Sequence, residues 1–278
     1  MNGFIPILQL DRPDGRVWNS LPYFGSHGDI LTSNPEVTGT VSDFLNQQLT
    51  SENVGAFCVV RKLDSVEQVS CLWTHQVCRL SQITAFGETN SNNLMSLFSS
   101  KQRNAIRKGL KQGFSIGISP DGRESLETLH AENLAQLSGI RKSPEFFKSL
   151  DQFFTRGPDY QIWEASHNND VVASLLLFYW RETVEYFIPA VKDDYRSSQV
   201  LSAIIFSAME DAVNRGFKSW NWGGTWESQH GVRKFKAGWG ADETVYNYDI
   251  KVQADSDLTK LTSEQALKFF PNFFVFPF

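Results

Sequence analysis

The sequence predicts an α/β fold, a mixed central sheet flanked by helices, and three observations carry that expectation. First, Tyr160–Ala165, Val171–Trp180 and Val184–Ala190 read as strands, the first two separated by the turn Asn168-Asn169-Asp170. They form a meander bounded by turn formers. Second, Val200, Leu201, Ile204, Ile205, Ala208, Ala212 and Val213 recur at helical spacing, with Gly216 where a left-handed stop is expected. Third, Phe217–Trp222 is short, aromatic and partly alternating, a half-buried strand that runs into Gly223-Gly224. With 41% hydrophobic and 13% aromatic residues, the 278-residue chain has ample material for a core, in one large domain or two smaller ones.

Residues 1–38 are rich in turn formers, including Pro6, Pro13, Pro22, Pro35 and Asp14-Gly15. Val41–Leu49 follows as a helix, then Val54–Arg61 and Val69–Val77 as strands, with a polar loop at Asn90–Asn93. Ser99 or Ser100 caps a helix that reaches Lys111. Phe114–Ser119 alternates as a strand, Asp121-Gly122 is a turn, and Glu124–Leu137 and Ser143–Phe154 are helices. Ser143 is the N-cap of the latter and Pro144 its first residue. Val245–Val252 is a closing strand, and 255–264 a polar linker. So apolar a tail as Phe269–Phe278 is expected to dock back on the body, since exposed it would be an aggregation hazard.

Net charge is −5, which argues against holding DNA or other long nucleic acid by bulk electrostatics. Cys58, Cys71 and Cys78 are odd in number and lack C-x-x-C spacing, so they indicate neither a disulfide framework nor a zinc site. The N-terminal stretch is broken by Pro6 and has no basic leader, and no apolar run approaches a membrane span. These features point to a soluble, cytoplasmic protein. There is no Ser-His-Asp order, metal-spaced histidine pair, dinucleotide fingerprint or P-loop, and the five histidines are scattered, which gives metal catalysis no support.

Two stretches carry chemistry. Lys101, Arg103, Arg107, Lys108 and Lys111 fall on one helix, with Arg103, Arg107 and Lys111 on a common face. Like charges stacked that way suit an anion opposite them, or else a solvated face paired within the protein. From Asn214 to Gly240, a double-glycine turn is followed by Arg233, Lys234 and Lys236 around Phe235, and four of the eight tryptophans fall in the same stretch. Cations beside a glycine turn and an aromatic wall suit an acyl or phosphate-bearing ligand. The alternative is a tight turn with a basic surface and tryptophans in the core.

Trp222-Gly223-Gly224 followed by Gly231-Val232-Arg233-Lys234-Phe235-Lys236-Ala237-Gly238-Trp239-Gly240 resembles the signature of the Fem family, bacterial non-ribosomal aminoacyltransferases on the GNAT fold. The match covers residues 100 to 252 well and the first hundred loosely. The resemblance implies a tandem GNAT-like acyltransferase fold with a degenerate first half: 1–100, 101–252, and a tail, 253–278, packed back on the body. It implies Lys236 at the reacting carbonyl and Phe235 as a wall of the acyl pocket. Tyr186, on the meander strand, and Glu227 or Asp29 are the candidates for handling the proton. Donor-binding residues would be Arg103, Arg107, Arg196, Ser197, Ser198, Gly223, Gly224 and Arg233; acceptor-binding residues would be Tyr23, His27, Asp29, Arg141 and Glu227.

Asp193–Gln199 stands where coenzyme A-using members carry a glycine-rich pyrophosphate loop, yet has no glycine. The co-substrate would be aminoacyl-tRNA or acyl-CoA, with no tightly bound cofactor, and the acceptor an amine on a cell-wall precursor, amino sugar or small metabolite. Fem-like chains usually carry an acid two places before the first glycine; here it is Asn221. An acetyl-CoA-dependent acetyltransferase, or a catalytically silent module for which Asn221 is the hint, are the competing readings.

Overall fold

The computed structural model describes residues 3–13, 15–22, 28–32, 34, 37–62, 73–137, 141–271 and 273. In chain order the elements begin β1 (Gly3–Phe4), β2 (Leu8–Arg12), β3 (Gly15–Asn19), β4 (Leu31–Thr32), α1 (Val37–Ser51), β5 (Val54–Lys62) and β6 (His75–Ala85). Next come α2 (Ser100–Leu110), β7 (Ser115–Ile118), α3 (Arg123–Leu137), α4 (Pro144–Phe153), β8 (Tyr160–His167), β9 (Asp170–Trp180) and β10 (Thr183–Val191). The chain ends with α5 (Val200–Asn214), β11 (Ser219–Thr225), α6 (His230–Gly238), β12 (Asp242–Val252) and α7 (Ser263–Phe269). The mixed sheet flanked by helices expected from the sequence is the fold observed.

Two compact units divide the chain: Met1–Ser81, Gly224–His230 and Glu243–Phe278 make unit 1, and Gln82–Gly223 and Gly231–Asp242 make unit 2. Unit 1 has the strand order β2-β3-β5-β12-β6. β3 is parallel to β5, and β12 is antiparallel to it. The period of β5 sorts its side chains between two cores. Phe57 and Val59 meet Leu45 and Leu49 of α1, whereas Ala56, Cys58 and Val60 face the cluster that includes Leu258, Phe270 and Phe273 from the C-terminal tail.

In unit 2, β11 lies beside β10, followed by β9, β8 and β7. The β7–β10 neighbours are all antiparallel. Leu126 of α3 and Phe147 and Leu150 of α4 pack on one face, against Tyr160, Ile162, Leu176 and Ile188. α5 covers the other face, where Val200, Ile204, Ile205, Ala208 and Ala212 meet the large cluster with Trp220, Trp222 and Trp239. It is buried on more than its sheet side because α2 packs on it too: a Cβ at Gly109 would run into the Gln199 carbonyl and stand 3.0 Å from Ala203 Cβ. α5 stops at Gly216 (φ +89°), with Phe217 N donating to Ala212 O and Gly216 N to Val213 O, each at 3.0 Å. These are the two bonds of a Schellman stop. They turn the chain straight into β11.

Several elements depart from expectation: α7 starts inside the stretch 255–264 expected as a linker, and β2 and β3 lie in the turn-rich first 38 residues. A strand was expected over Val69–Val77, but 63–72 lie outside the described residues and the strand seen is His75–Ala85. Its buried positions include Arg79, Ser81, Gln82 and Thr84, so the polar side chains hide the apolar alternation that marks a strand.

Candidate active site

The site lies in unit 2, where two parallel strands part. β10 and β11 pair at Thr183↔Ser219, Val184↔Trp220 and Glu185↔Asn221, and no further. Directly beyond, β10 carries a bulge against β9 between Tyr186 and Ile188. Such a bulge bends its strand and leaves the extra residue out of the ladder. The fork is wedged apart on the α5 side by aromatic rings: Tyr186 lies 5.0 Å from Trp222, and Trp222 lies 5.9 Å from Phe235 and 5.6 Å from Trp239, centroid to centroid.

A chain of polar contacts crosses the fork. Asn221 Nδ2 donates to Glu185 Oε1 at 3.0 Å, and Asn221 Oδ1 accepts from Gly223 N at 2.9 Å. Gly223 O accepts from Lys236 Nζ at 3.2 Å. Gly223 can turn this way because it sits at φ +69°, a conformation costly for a residue with a side chain. α6 is held in place to deliver Lys236: Gln82 Nε2 donates to Arg233 O at 3.2 Å, Thr84 Oγ1 to Trp239 O at 3.1 Å, and Ser99 N to Gly238 O at 2.9 Å. The buried polar residues at the end of β6 therefore position the helix.

Burial raises the Glu185 carboxyl above its ordinary value, against the opposing hydrogen bond from Asn221. A carboxylate so placed is a better proton acceptor near neutral pH than an exposed one. Tyr186 is also pushed up, well beyond the ordinary phenol range, by burial. It stays protonated, with its ring against Trp222. Lys236 is only 5% exposed and offers a cation to developing negative charge. Among the described residues no group of three or more His, Cys, Asp or Glu could hold a metal ion.

A family model for the acetyltransferase (GNAT) domain matches residues 100–243, just over half of the chain. The chain belongs to the GNAT acetyltransferase family. It is accordingly an acyltransferase, and the parted strands are where the domain match falls. None of the curated proteins compared matches the sequence. Among solved structures, FemX is 14% identical with a TM-score of 0.65, over 89% of this chain and 85% of that one. The C-terminal domain of a putative lysylphosphatidylglycerol synthetase from Agrobacterium fabrum is 12% identical, TM-score 0.63, over 96% and 85% respectively. L-PGS from Bacillus licheniformis is 12% identical, TM-score 0.59, over 89% and 81%. At such identities these likenesses speak for the fold.

The GNAT fold brings Tyr186, Gly223, Phe235 and Lys236 together at the fork. A second group gathers where α2 meets the approach to α5. Lys108 Nζ donates to Ser197 O at 2.7 Å, and Arg107 is exposed beside it on α2. Ser198 Oγ accepts from Val200 N at 3.3 Å, and Arg196 is drawn to Asp193 at 2.8 Å. Arg103 turns back to donate to the Phe98 carbonyl and does not share in that group. Arg141 and Arg233 are exposed. Asp29, Gly224 and Glu227 belong to unit 1, where Asp29 Oδ1 accepts from Ile30 N at 2.7 Å and Glu227 is exposed. Gly224 is fixed there by close packing, as a Cβ would collide with the Tyr246 hydroxyl and come within 2.7 Å of Arg79 Nε. Tyr23 and His27 lie outside the described residues. Glu185 was not among the residues singled out from sequence. Its signal, a carboxylate opposite Asn221, exists only in the strand register.

Proposed function

We propose that this GNAT-family protein is an N-acyltransferase that moves an aminoacyl or acyl group from an activated donor to the amine of a cell-wall precursor, amino sugar or small metabolite. Aminoacyl-tRNA is the favoured donor and acyl-CoA the alternative. The observation that carries the reading is the polar chain across the strand fork, with a buried cation, Lys236, at one end and a carboxylate of raised proton affinity, Glu185, at the other. In the reaction the amine nitrogen attacks the acyl carbon while Glu185 accepts the proton the amine sheds. Lys236 meets the charge on the oxyanion or leaving group, and the ester or thioester bond breaks as the amide forms.

Phe235 and Tyr186 wall the acyl group, and the Gly223 backbone lines its path. Arg107, Arg196, Ser197, Ser198 and Arg233 are assigned to the donor's phosphates, and Arg141 to the acceptor. The glycine-free turn before α5 and the Fem-like signature over Trp222–Gly240 both favour the aminoacyl donor. The carboxylate at Glu185 counts against a silent module, since the acid missing at Asn221 stands across the fork from it. Both donor classes are cytoplasmic, which fits a cytoplasmic enzyme.

The test is equilibrium binding of a charged tRNA and of acetyl-CoA, side by side at stated salt, followed by transfer to a panel of amines. Binding and transfer from charged tRNA alone makes this an aminoacyltransferase; from acetyl-CoA alone, an acetyltransferase. Binding of neither, with no transfer, overturns the reading.

A further inference from the structure

On the face of unit 2 opposite α5, an aromatic row runs past Glu185. Phe178 stands directly across from Glu185 in the β9–β10 register, so the two side chains share a face about 5 Å apart at Cβ. Phe187, at the bulge, lies 5.0 Å from Phe178 and is nearly parallel to Phe146 of α4 (6.0 Å, 24°). Phe154 extends the row, 5.0 Å from Phe178. The row is not sealed: Phe187 is 36% and Phe154 43% exposed.

One cation is built into this row. Lys142 Nζ lies 5.0 Å from the centroid of Phe146 and 4.9 Å from that of Phe187. The backbone there is fixed by Lys142 N donating to His130 Nε2 at 3.3 Å, which requires that ring nitrogen to carry no proton. Burial and the Lys142 charge keep His130 neutral, down to about pH 4. Burial also disfavours the Lys142 ammonium.

Resting on the reading of Glu185 as proton acceptor, we infer that the acceptor is an apolar amine that also bears an anionic group, with its anion at Lys142 and its apolar body on Phe146 and Phe187. An aromatic α-amino carboxylate is the simplest member of that class. Charge complementarity decides between this and a cationic acceptor such as a polyamine, which Lys142 would repel.

The experiment compares two probes by calorimetry and as substrates with each donor: L-phenylalanine, and L-phenylalaninamide, which keeps ring and amine but has no carboxylate. The expected result is that the wild-type protein binds the acid roughly 10-fold more tightly than the amide, as a charge-assisted contact gives. Lys142→Met should bring the ratio to about one and Lys142→Arg should restore it. Phe187→Ala, at a partly exposed position that tolerates truncation, should weaken both probes alike and leave the ratio. A ratio unmoved by Lys142→Met, or no binding of either probe to the wild type, overturns the inference. Discriminating binding without transfer from either donor would sustain the acceptor site while removing the acyl-transfer reading, so the two fail separately.

Discussion

Glu185 of β10 and Asn221 of β11 stand opposite each other on the last rung of the parallel pairing, joined by a 3.0 Å hydrogen bond from Asn221 Nδ2 to Glu185 Oε1. A carboxylate thus stands on the neighbouring strand, at the same level of the fork as Asn221. Asn221 keeps one amide end on that carboxylate and the other on the Gly223 backbone.

Glu185→Gln should keep the fold and the Asn221 contact while removing the proton acceptor. We expect kcat/KM to fall by roughly 10²–10⁴, the range for general-base loss. Because burial raises this carboxyl, wild-type activity should climb with pH through a pKa above the usual carboxylate range. In the Gln variant that limb should vanish. A pH–rate profile that keeps the same limb would remove Glu185 from the mechanism.

Lys236→Ala removes the cation at the other end of the chain. A loss of about 3–4 kcal/mol in transition-state stabilisation is expected, seen mainly in kcat. Equal turnover in the two proteins, at matched circular dichroism, would remove Lys236 from the mechanism.

Gly109→Ala ordinarily stabilises a helix interior by about 1 kcal/mol. Here the added methyl meets the Gln199 carbonyl and Ala203 across the α2–α5 contact. Overpacking of this kind costs roughly 1–3 kcal/mol, so the net outcome should be a lowered Tm. A raised Tm would mean that α2 does not sit so close.

His130 has a folded-state pKa of about 4 against an ordinary 6.5, through burial first and Lys142 second. A depressed pKa gives stability that is full above the unfolded value and lost as pH falls toward the folded one. From pH 7 to pH 5 the loss should be about 2 kcal/mol. Urea denaturation at both values checks it, since His130→Asn should show a correspondingly smaller drop.

Lys108→Glu breaks the contact to Ser197 O and reverses a charge beside the approach to α5. Donor binding should weaken, with a shallower salt dependence. Arg103→Gln, whose guanidinium is engaged with the Phe98 carbonyl, should affect stability more than donor affinity. Titrations at two salt concentrations distinguish these, and identical donor affinities for Lys108→Glu and wild type would clear α2 of a role.

Local sequence carried what depends on local physics. The three-strand meander, the α5 helix with its stop at Gly216, the caps of α2 and α4, and the signature that presents Phe235 and Lys236 were all readable, because hydrophobic period, cap chemistry and positive φ act within a few residues. The buried polar strand β6 was misplaced because Arg79, Ser81, Gln82 and Thr84 are burials that only partners elsewhere in the chain make tolerable. Arg103 and Lys108 are both cations of one helix, yet one turns back to its own helix start and the other reaches Ser197, a choice made by packing on α5. Glu185 gained its place from the register of two strands more than thirty residues apart, and Lys142 from rings that α4 and β10 bring together. The sequence by itself determined the elements and the family signature. Which carboxylate faces the parted strands, and which cation faces the aromatic row, was decided by tertiary structure, since strand pairing and burial set both position and proton affinity.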